Sequence, residues 1–319
     1  MQPVPAIQDS SNPPAKTIPT SQFYQWINYQ CAYQVYNPVP AANDSIPLVL
    51  IHPIGVGLSK AFWQRFCQTW YETGHRNPIY NPDLLGCGES EKPPIAYYPS
   101  DWAQQLDYFL QSVVQKPAII VVQGALLPVA LILTVLQQPR QPNLIKGLVL
   151  AGPSPWALMS QDLNIWQQRL TWNLLYSPLG NAFYRYARRK DFLRSFSTRR
   201  LFAASEAVDT EWLETLKAEA ADPATRYAVF SFLARFWRQN YLSEIESITQ
   251  PVLVVVGEQA SSVGKAGQEE TPKERLGRYL AHLPNGEGLL IPGRNVLPYE
   301  STTDFVKVVG EFVAQFKQS

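Results

Sequence analysis

Short apolar runs that recur between amphipathic segments constrain this chain more than any other feature. Ile46–Ile51 is apolar throughout and ends in His52-Pro-Ile-Gly55. A run of that kind, bounded by turn residues, fits a strand buried on both faces. Ala118–Val122, Leu144–Leu150 and Pro251–Val256 repeat the pattern, with a shorter run at Leu289–Ile291. Between them, helical spacing appears around Phe62, Phe66 and Trp70, across Trp102–Val113, over 128–137, near 273–282 and over 302–316. Strands alternating with helices imply a mostly parallel sheet covered on both faces. Residues 22–36 alternate instead, which predicts antiparallel strands at the start of that sheet. From 152 to 245 the rhythm is lost, leaving helical segments rich in Trp, Tyr, Phe and Arg. The expected organisation is a core of 21–151 plus 246–319, a helical cap inserted over 152–245, and a flexible Pro-rich tail over 1–20.

Charge narrows the function classes. The 319 residues carry 27 Lys+Arg against 26 Asp+Glu, a net of +1. That balance lacks the basic excess that phosphate contacts demand, so no nucleic-acid partner is expected. Pro117–Pro139 holds no charged residue and has the length of a membrane span. Gln123, Gly124 and Pro128 in its middle fit a buried strand, a tight turn and a buried helix in series instead. The N-terminus lacks the basic segment and apolar stretch of a secretory signal. A cytoplasmic protein without a transmembrane helix is the expectation. Cys31, Cys67 and Cys87 form no close pair, and His52, His75 and His282 are the only histidines. Neither a disulfide framework nor a metal is suggested, and no cofactor is expected.

Four motifs in order carry a resemblance. Leu48-Val-Leu-Ile-His-Pro-Ile-Gly55, then Phe62-Trp63, then Asn81-Pro-Asp-Leu-Leu-Gly-Cys-Gly-Glu-Ser90 resemble the front half of an α/β-hydrolase. Pro251-Val-Leu-Val-Val-Val-Gly-Glu258 resembles its later strand, and Ile291-Pro-Gly with Leu297-Pro-Tyr-Glu300 its last catalytic loop. The resemblance implies an α/β-hydrolase fold of about eight mostly parallel strands with an inserted cap. It also implies relatives in photosynthetic prokaryotes and plastids.

The family's chemistry needs a serine on a strained G-x-S-x-G turn, activated by a histidine that an acid orients. The corresponding stretch here is Ile119-Ile-Val-Val-Gln-Gly-Ala-Leu-Leu-Pro128. Aligned on the following helix, it puts Gly124 at the serine position; shifted by one residue, it puts Ala125 there. Neither side chain can attack a carbonyl. The family's acid pattern G-E-x-D reads Gly257-Glu-Gln-Ala260, and the loop that should hold the base places Asn295 or Val296 at the histidine. No histidine follows His282. All three roles of the triad are thus expected to be substituted. What the resemblance implies could survive is the family's oxyanion pocket, whose groups here would be the backbone N–H of Ile54 and of Ala125 or Leu126. His52 ends the strand at that pocket, and Gln123 and Asn295 add neutral donors and acceptors.

Other residues invite a catalytic reading. Gly86-Cys-Gly-Glu-Ser90 imitates a nucleophile motif but does not join a strand to a helix; it reads as a turn at the sheet edge, with Cys87 the alternative nucleophile. His52 reads as a hydrogen-bonded structural histidine, or else as a displaced base. His75 and His282 read as surface residues at helix ends, and Glu258 as non-catalytic. The leading expectation is a pseudo-hydrolase that binds a small apolar or carbonyl-bearing ligand or serves another assembly. The rival is an enzyme of this fold that uses His52, Cys87 or Gln123.

In the cap, 183–202 holds Arg185, Arg188, Arg189, Lys190, Arg194, Arg199 and Arg200 against one acid, Asp191, with six aromatics interleaved. Such a segment suits an anionic membrane surface or an acidic protein partner. A cap with aromatics packed inward and arginines solvated would read the same. Tyr227–Tyr241 repeats the style, and its aromatic side is expected to roof the pocket.

Overall fold

The computed structural model describes residues 18–37, 45–162, 164–264, 267 and 269–316. The chain opens with β1 (Gln22–Trp26), β2 (Tyr29–Tyr36) and β3 (Leu48–Ile51), followed by α1 (Gln64–Glu72) and β4 (Ile79–Pro82). Next come α2 (Pro99–Phe109), β5 (Ala118–Gln123), α3 (Leu127–Gln137) and β6 (Ile145–Ala151). Seven helices then fill the insertion: α4 (Trp156–Met159), α5 (Ile165–Tyr176), α6 (Pro178–Ala187), α7 (Lys190–Phe196), α8 (Thr210–Glu219), α9 (Arg226–Leu233) and α10 (Leu242–Glu246). The alternation resumes with β7 (Val252–Gly257), α11 (Pro272–His282) and β8 (Gly286–Ile291), and closes with α12 (Leu297–Glu300) and α13 (Thr302–Ala314).

The eight strands form one sheet in the order β1-β2-β4-β3-β5-β6-β7-β8. β1 pairs antiparallel with β2, and β2 with β4; every other pairing is parallel. All residues of β3, β5 and β7 are buried, which is why their sequences are unbroken apolar runs. The expectation of an eight-stranded, mostly parallel α/β fold holds. β8 is longer than the run at Leu289–Ile291 indicates, because an edge strand needs no second buried face and Gly286 and Gly288 dilute its apolar signal. On one face α1 and α13 cover the sheet, with Phe66 packed edge-on against Phe305. On the other lie α2 and α3. The uncharged stretch 117–139 is β5, a tight turn and α3. Among the described residues no helix is long and apolar enough to cross a membrane.

Residues 1–17 of the expected tail lie outside the described residues; beyond them, Gln34 Nε2 donates to the Pro19 carbonyl at 3.0 Å. His75 and His282 are half-buried, not surface residues: His75 stacks on Trp70 at 4.0 Å between ring centroids, and His282 packs tilted against Trp156 at 4.5 Å.

The Gly86–Ser90 loop is a scaffold wrapped around one buried carboxylate. Asp83 Oδ1 accepts from Lys60 N–H at 2.8 Å, and Oδ2 accepts from Lys60 Nζ at 2.6 Å and Glu89 N–H at 2.8 Å. Gly88, at φ +52°, lies so close that a Cβ there would stand 2.2 Å from the Asp83 carboxylate. Ser90 Oγ donates to the Asp83 carbonyl and accepts from Ala32 N–H, both at 2.9 Å. Burial pushes the Cys87 thiol well above its ordinary range, which keeps it protonated. These bonds hold β2, β4 and the entry to α1 together. Removing one partner of a buried pair leaves a bare charge in low dielectric. Lys60→Met should therefore cost roughly 3–5 kcal/mol of stability, read from denaturant midpoints at neutral pH.

Candidate functional site

Loops that can hold chemistry gather where the parallel strands end, and four of them meet there. The loop after β3 supplies His52–Gly55. His52 is fully buried, with Nδ1 2.8 Å from the Pro53 carbonyl and Nε2 accepting from Leu84 N–H at 3.1 Å. These partners fix the neutral tautomer with the proton on Nδ1, and both ring nitrogens are occupied. Burial holds the imidazole below its usual value. Ile54 N–H has no hydrogen-bond partner among the described residues.

β5 ends in Gln123, and the chain turns at once into a one-turn 3-10 helix, Gly124–Leu126, and then α3. Gly124 adopts φ +64°, and a Cβ placed on it would meet nothing within 4 Å. Gly124 and Ala125 are partly exposed, so the turn borders open space. Ala125 N–H, in the first turn of a 3-10 helix, has no intrahelical partner. Gln123 is buried; its Nε2 donates to the Asn295 carbonyl at 2.6 Å, while its Oε1 has no hydrogen-bond partner.

Ala260 follows β7 and is buried, three residues beyond Gly257, whose carbonyl accepts its N–H at 2.9 Å. Glu258 beside it is exposed. After β8, Asn295 uses every polar group it has. Its N–H donates to the Leu201 carbonyl at 3.0 Å, and its Nδ2 to the Arg200 carbonyl at 2.7 Å. Its Oδ1 accepts from Ser261 N–H at 3.3 Å, and its carbonyl holds Gln123. Arg294 adds bonds to the Arg199 carbonyl and Ser261 Oγ, and Glu300 Oε1 accepts from Ala203 N–H at 2.6 Å. The cap segment 197–203 is thus stitched onto the loop after β8. Val296 is buried in the apolar cluster that joins the sheet to Leu193, Phe202 and Trp212 of the cap.

The loops thus bring His52, Ile54, Gln123, Gly124, Ala125, Ala260, Asn295 and Val296 to one edge of the sheet, as the sequence order implies. Cys87 lies in the scaffold loop around Asp83, and the arginines of the cap stand apart. Arg188 Nη1 donates to the Ala221 carbonyl at 3.0 Å, and Lys190 pairs with Glu214 at 2.5 Å, while Arg185, Arg189 and Arg194 are exposed. Sequence reasoning missed the cap-to-loop stitching, since carbonyls of Arg199, Arg200 and Leu201 leave no trace in side-chain types. Two open concavities of about 680 and 410 Å³ lie elsewhere, one lined by Gln111, Arg140 and Pro142, the other by His75, Val306 and Gly310. Among the described residues no group of three or more His, Cys, Asp or Glu could hold a metal ion.

A family model described as the alpha/beta hydrolase family matches residues 48–308, and the chain belongs to that family. Solved structures of similar fold include a serine hydrolase of carbazole degradation, the CarC enzyme, at 19% identity and TM-score 0.68, covering 93% of this chain and 99% of that one. An esterase from Thermogutta terrifontis is similar at 15% identity and TM-score 0.68, covering 93% and 98%. A bromoperoxidase from Bacillus anthracis is similar at 17% identity and TM-score 0.67, covering 92% and 100%. At these identities the likeness establishes the fold. No curated protein matches the chain.

Two stability predictions follow from the geometry. Asn295→Ala strips donors and acceptors from Ser261 and the cap and should cost about 1–3 kcal/mol, measured by chemical unfolding. The His52 imidazole, depressed in the folded state, makes the unfolded chain bind more protons below the ordinary value of 6.5. Its contribution is full above that pH and is lost as pH falls through the lowered folded value, with a slope of up to about 1.4 kcal/mol per pH unit. His52→Gln should flatten that part of the stability–pH curve.

Proposed function

We propose that this member of the α/β-hydrolase family binds a small carbonyl-bearing or apolar ligand without hydrolysing it. The observation that carries the reading is Gly124. In the family, the nucleophile sits on the strained strand-to-helix turn, and the positive φ of this chain's turn falls on a residue with no side chain. Gly124 is therefore assigned the serine position in preference to Ala125. The other two roles fare no better. Ala260 has no acidic group, and Asn295 is saturated by bonds that hold the cap, with the neighbouring Val296 buried in an apolar cluster. Acyl transfer requires a nucleophile and a base in hydrogen-bond reach of each other, and these loops supply neither.

The backbone half of the machinery is what this reading retains. Ile54 and Ala125 N–H groups, both unspent, are the pair that would donate to a carbonyl or carboxylate oxygen. Gln123 Oε1 is the remaining acceptor nearby. Against the rival enzyme stand the two hydrogen bonds of the His52 ring and the buried, protonated Cys87 thiol. The fold neighbours bear the names of a serine hydrolase, an esterase and a bromoperoxidase; the proposal is that this chain keeps their architecture and not their chemistry.

The test is hydrolysis of p-nitrophenyl acetate and butyrate. Turnover should stay at background for the natural protein and for Gly124→Ser, since a serine without a base remains a poor nucleophile. Butyrate, a carboxylate that such a pocket could seat, should raise the melting temperature. Turnover on the order of 1 s⁻¹ or more, abolished by His52→Gln, would overturn the reading.

A further inference from the structure

Cap helices α5 and α6 bury one face and leave large apolar side chains on the other. Inward, Trp172 and Leu175 of α5 pack against a small cluster of Tyr184, Val229 and Phe230. Outward, α5 carries Ile165, Trp166, Leu170 and Leu174, and α6 carries Leu179 and Phe183, all exposed. Trp166 is 68% and Leu179 69% accessible. α5 and α6 pack against each other, and the spacing orders their exposed apolar residues. Trp166, Leu170 and Leu174 recur every four residues, and so do Leu179 and Phe183, so each set forms a stripe along its helix. A solvent-facing stripe is ordinarily polar, and a contiguous exposed apolar patch marks an interaction surface.

The charge around the stripes has one sign. Arg169 on α5, Arg185 on α6, Arg189 beyond it and Arg194 on α7 are exposed and make no ion pair among the described residues. Arg189 lies over the exposed ring of Tyr186, 5.7 Å from its centroid. Between residues 164 and 205, Asp191 is the sole acid. A partner must therefore be anionic and must accept aliphatic and indole side chains. α5 has 12 residues, about 18 Å at the usual rise, far short of the ~30 Å hydrocarbon core. It can lie along a bilayer interface but cannot cross it. Apolar stripes with tryptophan, flanked by arginine and free of acid, are the pattern of helices that lie flat on anionic lipid.

We propose that the α5–α6 hairpin docks this protein onto an anionic lipid bilayer. Trp166, Leu170, Leu174, Leu179 and Phe183 enter the headgroup boundary, and Arg169, Arg185, Arg189 and Arg194 meet the anionic headgroups. Arg188 and Lys190 are engaged within the cap and take no part. The surface lies outside the candidate ligand site, so this proposal and the binding reading stand or fall separately.

Flotation of the full chain with phosphatidylcholine vesicles, with and without phosphatidylglycerol, tests it. Binding should require phosphatidylglycerol and weaken with salt. Arg185→Gln and Arg189→Gln should each lower affinity roughly fivefold, and the double variant Leu170→Gln/Leu174→Gln should abolish flotation. Brominated acyl chains should quench tryptophan emission, with the quenched component absent from Trp166→Phe. Unchanged cooperative unfolding of the variants separates lost docking from lost fold; Leu179→Gln substitutes if the double variant unfolds. No binding to anionic vesicles, equal binding to neutral ones, or binding indifferent to the leucines overturns the proposal. Capture of an acidic protein by the hairpin without vesicle binding overturns it in favour of a protein partner.

Discussion

The central strands of this sheet are buried on both faces, and the rest of the molecule is arranged around that demand. β3, β5 and β7 expose no residue, so each helix layer must present a wide apolar face, and polar functional groups are excluded from the strands themselves. They can appear only in the loops at the strand ends. The parallel pairing brings the loops after β3, β5, β7 and β8 to a single edge. A site at that edge is a consequence of topology before any residue in it is considered.

Two buried polar arrangements define what that edge has become. The first is the Asp83 carboxylate, whose oxygens are taken by Lys60 and by the backbone of the Glu89 turn. It fixes the loop between β4 and α2 and, through Leu84 N–H, the ring of His52. A histidine with both nitrogens committed and its proton affinity lowered by burial is a wall of the site. The second is Asn295, which bridges β5, the loop after β7 and the cap in one residue. One side chain and its backbone thus hold three segments in register.

The cap divides its duties along the same lines. Its final segment, 197–203, is tied to the core by hydrogen bonds to Arg294, Asn295 and Glu300. Its first hairpin is held to the molecule by one face alone. The cap is thus attached at one end and carries unspent apolar surface at the other.

The strands, their order of appearance and the run of helices between β6 and β7 were legible in the sequence, because full burial on both faces forces unbroken apolar runs and helices carry their own period. That no serine stands at Gly124 or Ala125, no acid at Ala260 and no histidine at Asn295 or Val296 could be read off the residues themselves. Three matters needed the tertiary structure. The proposed choice of Gly124 over Ala125 rests on φ, which motif spacing does not carry for two small residues in succession. The role of His52 rests on a contact with Leu84, 32 residues away. Which face of α5 lies outward depends on α6 and α9 covering Trp172 and Leu175: with apolar residues all round that helix, periodicity could not separate a core face from an exposed one. Sequence pattern reports what a segment must bury. Only the packed chain decides which of those demands is left unmet.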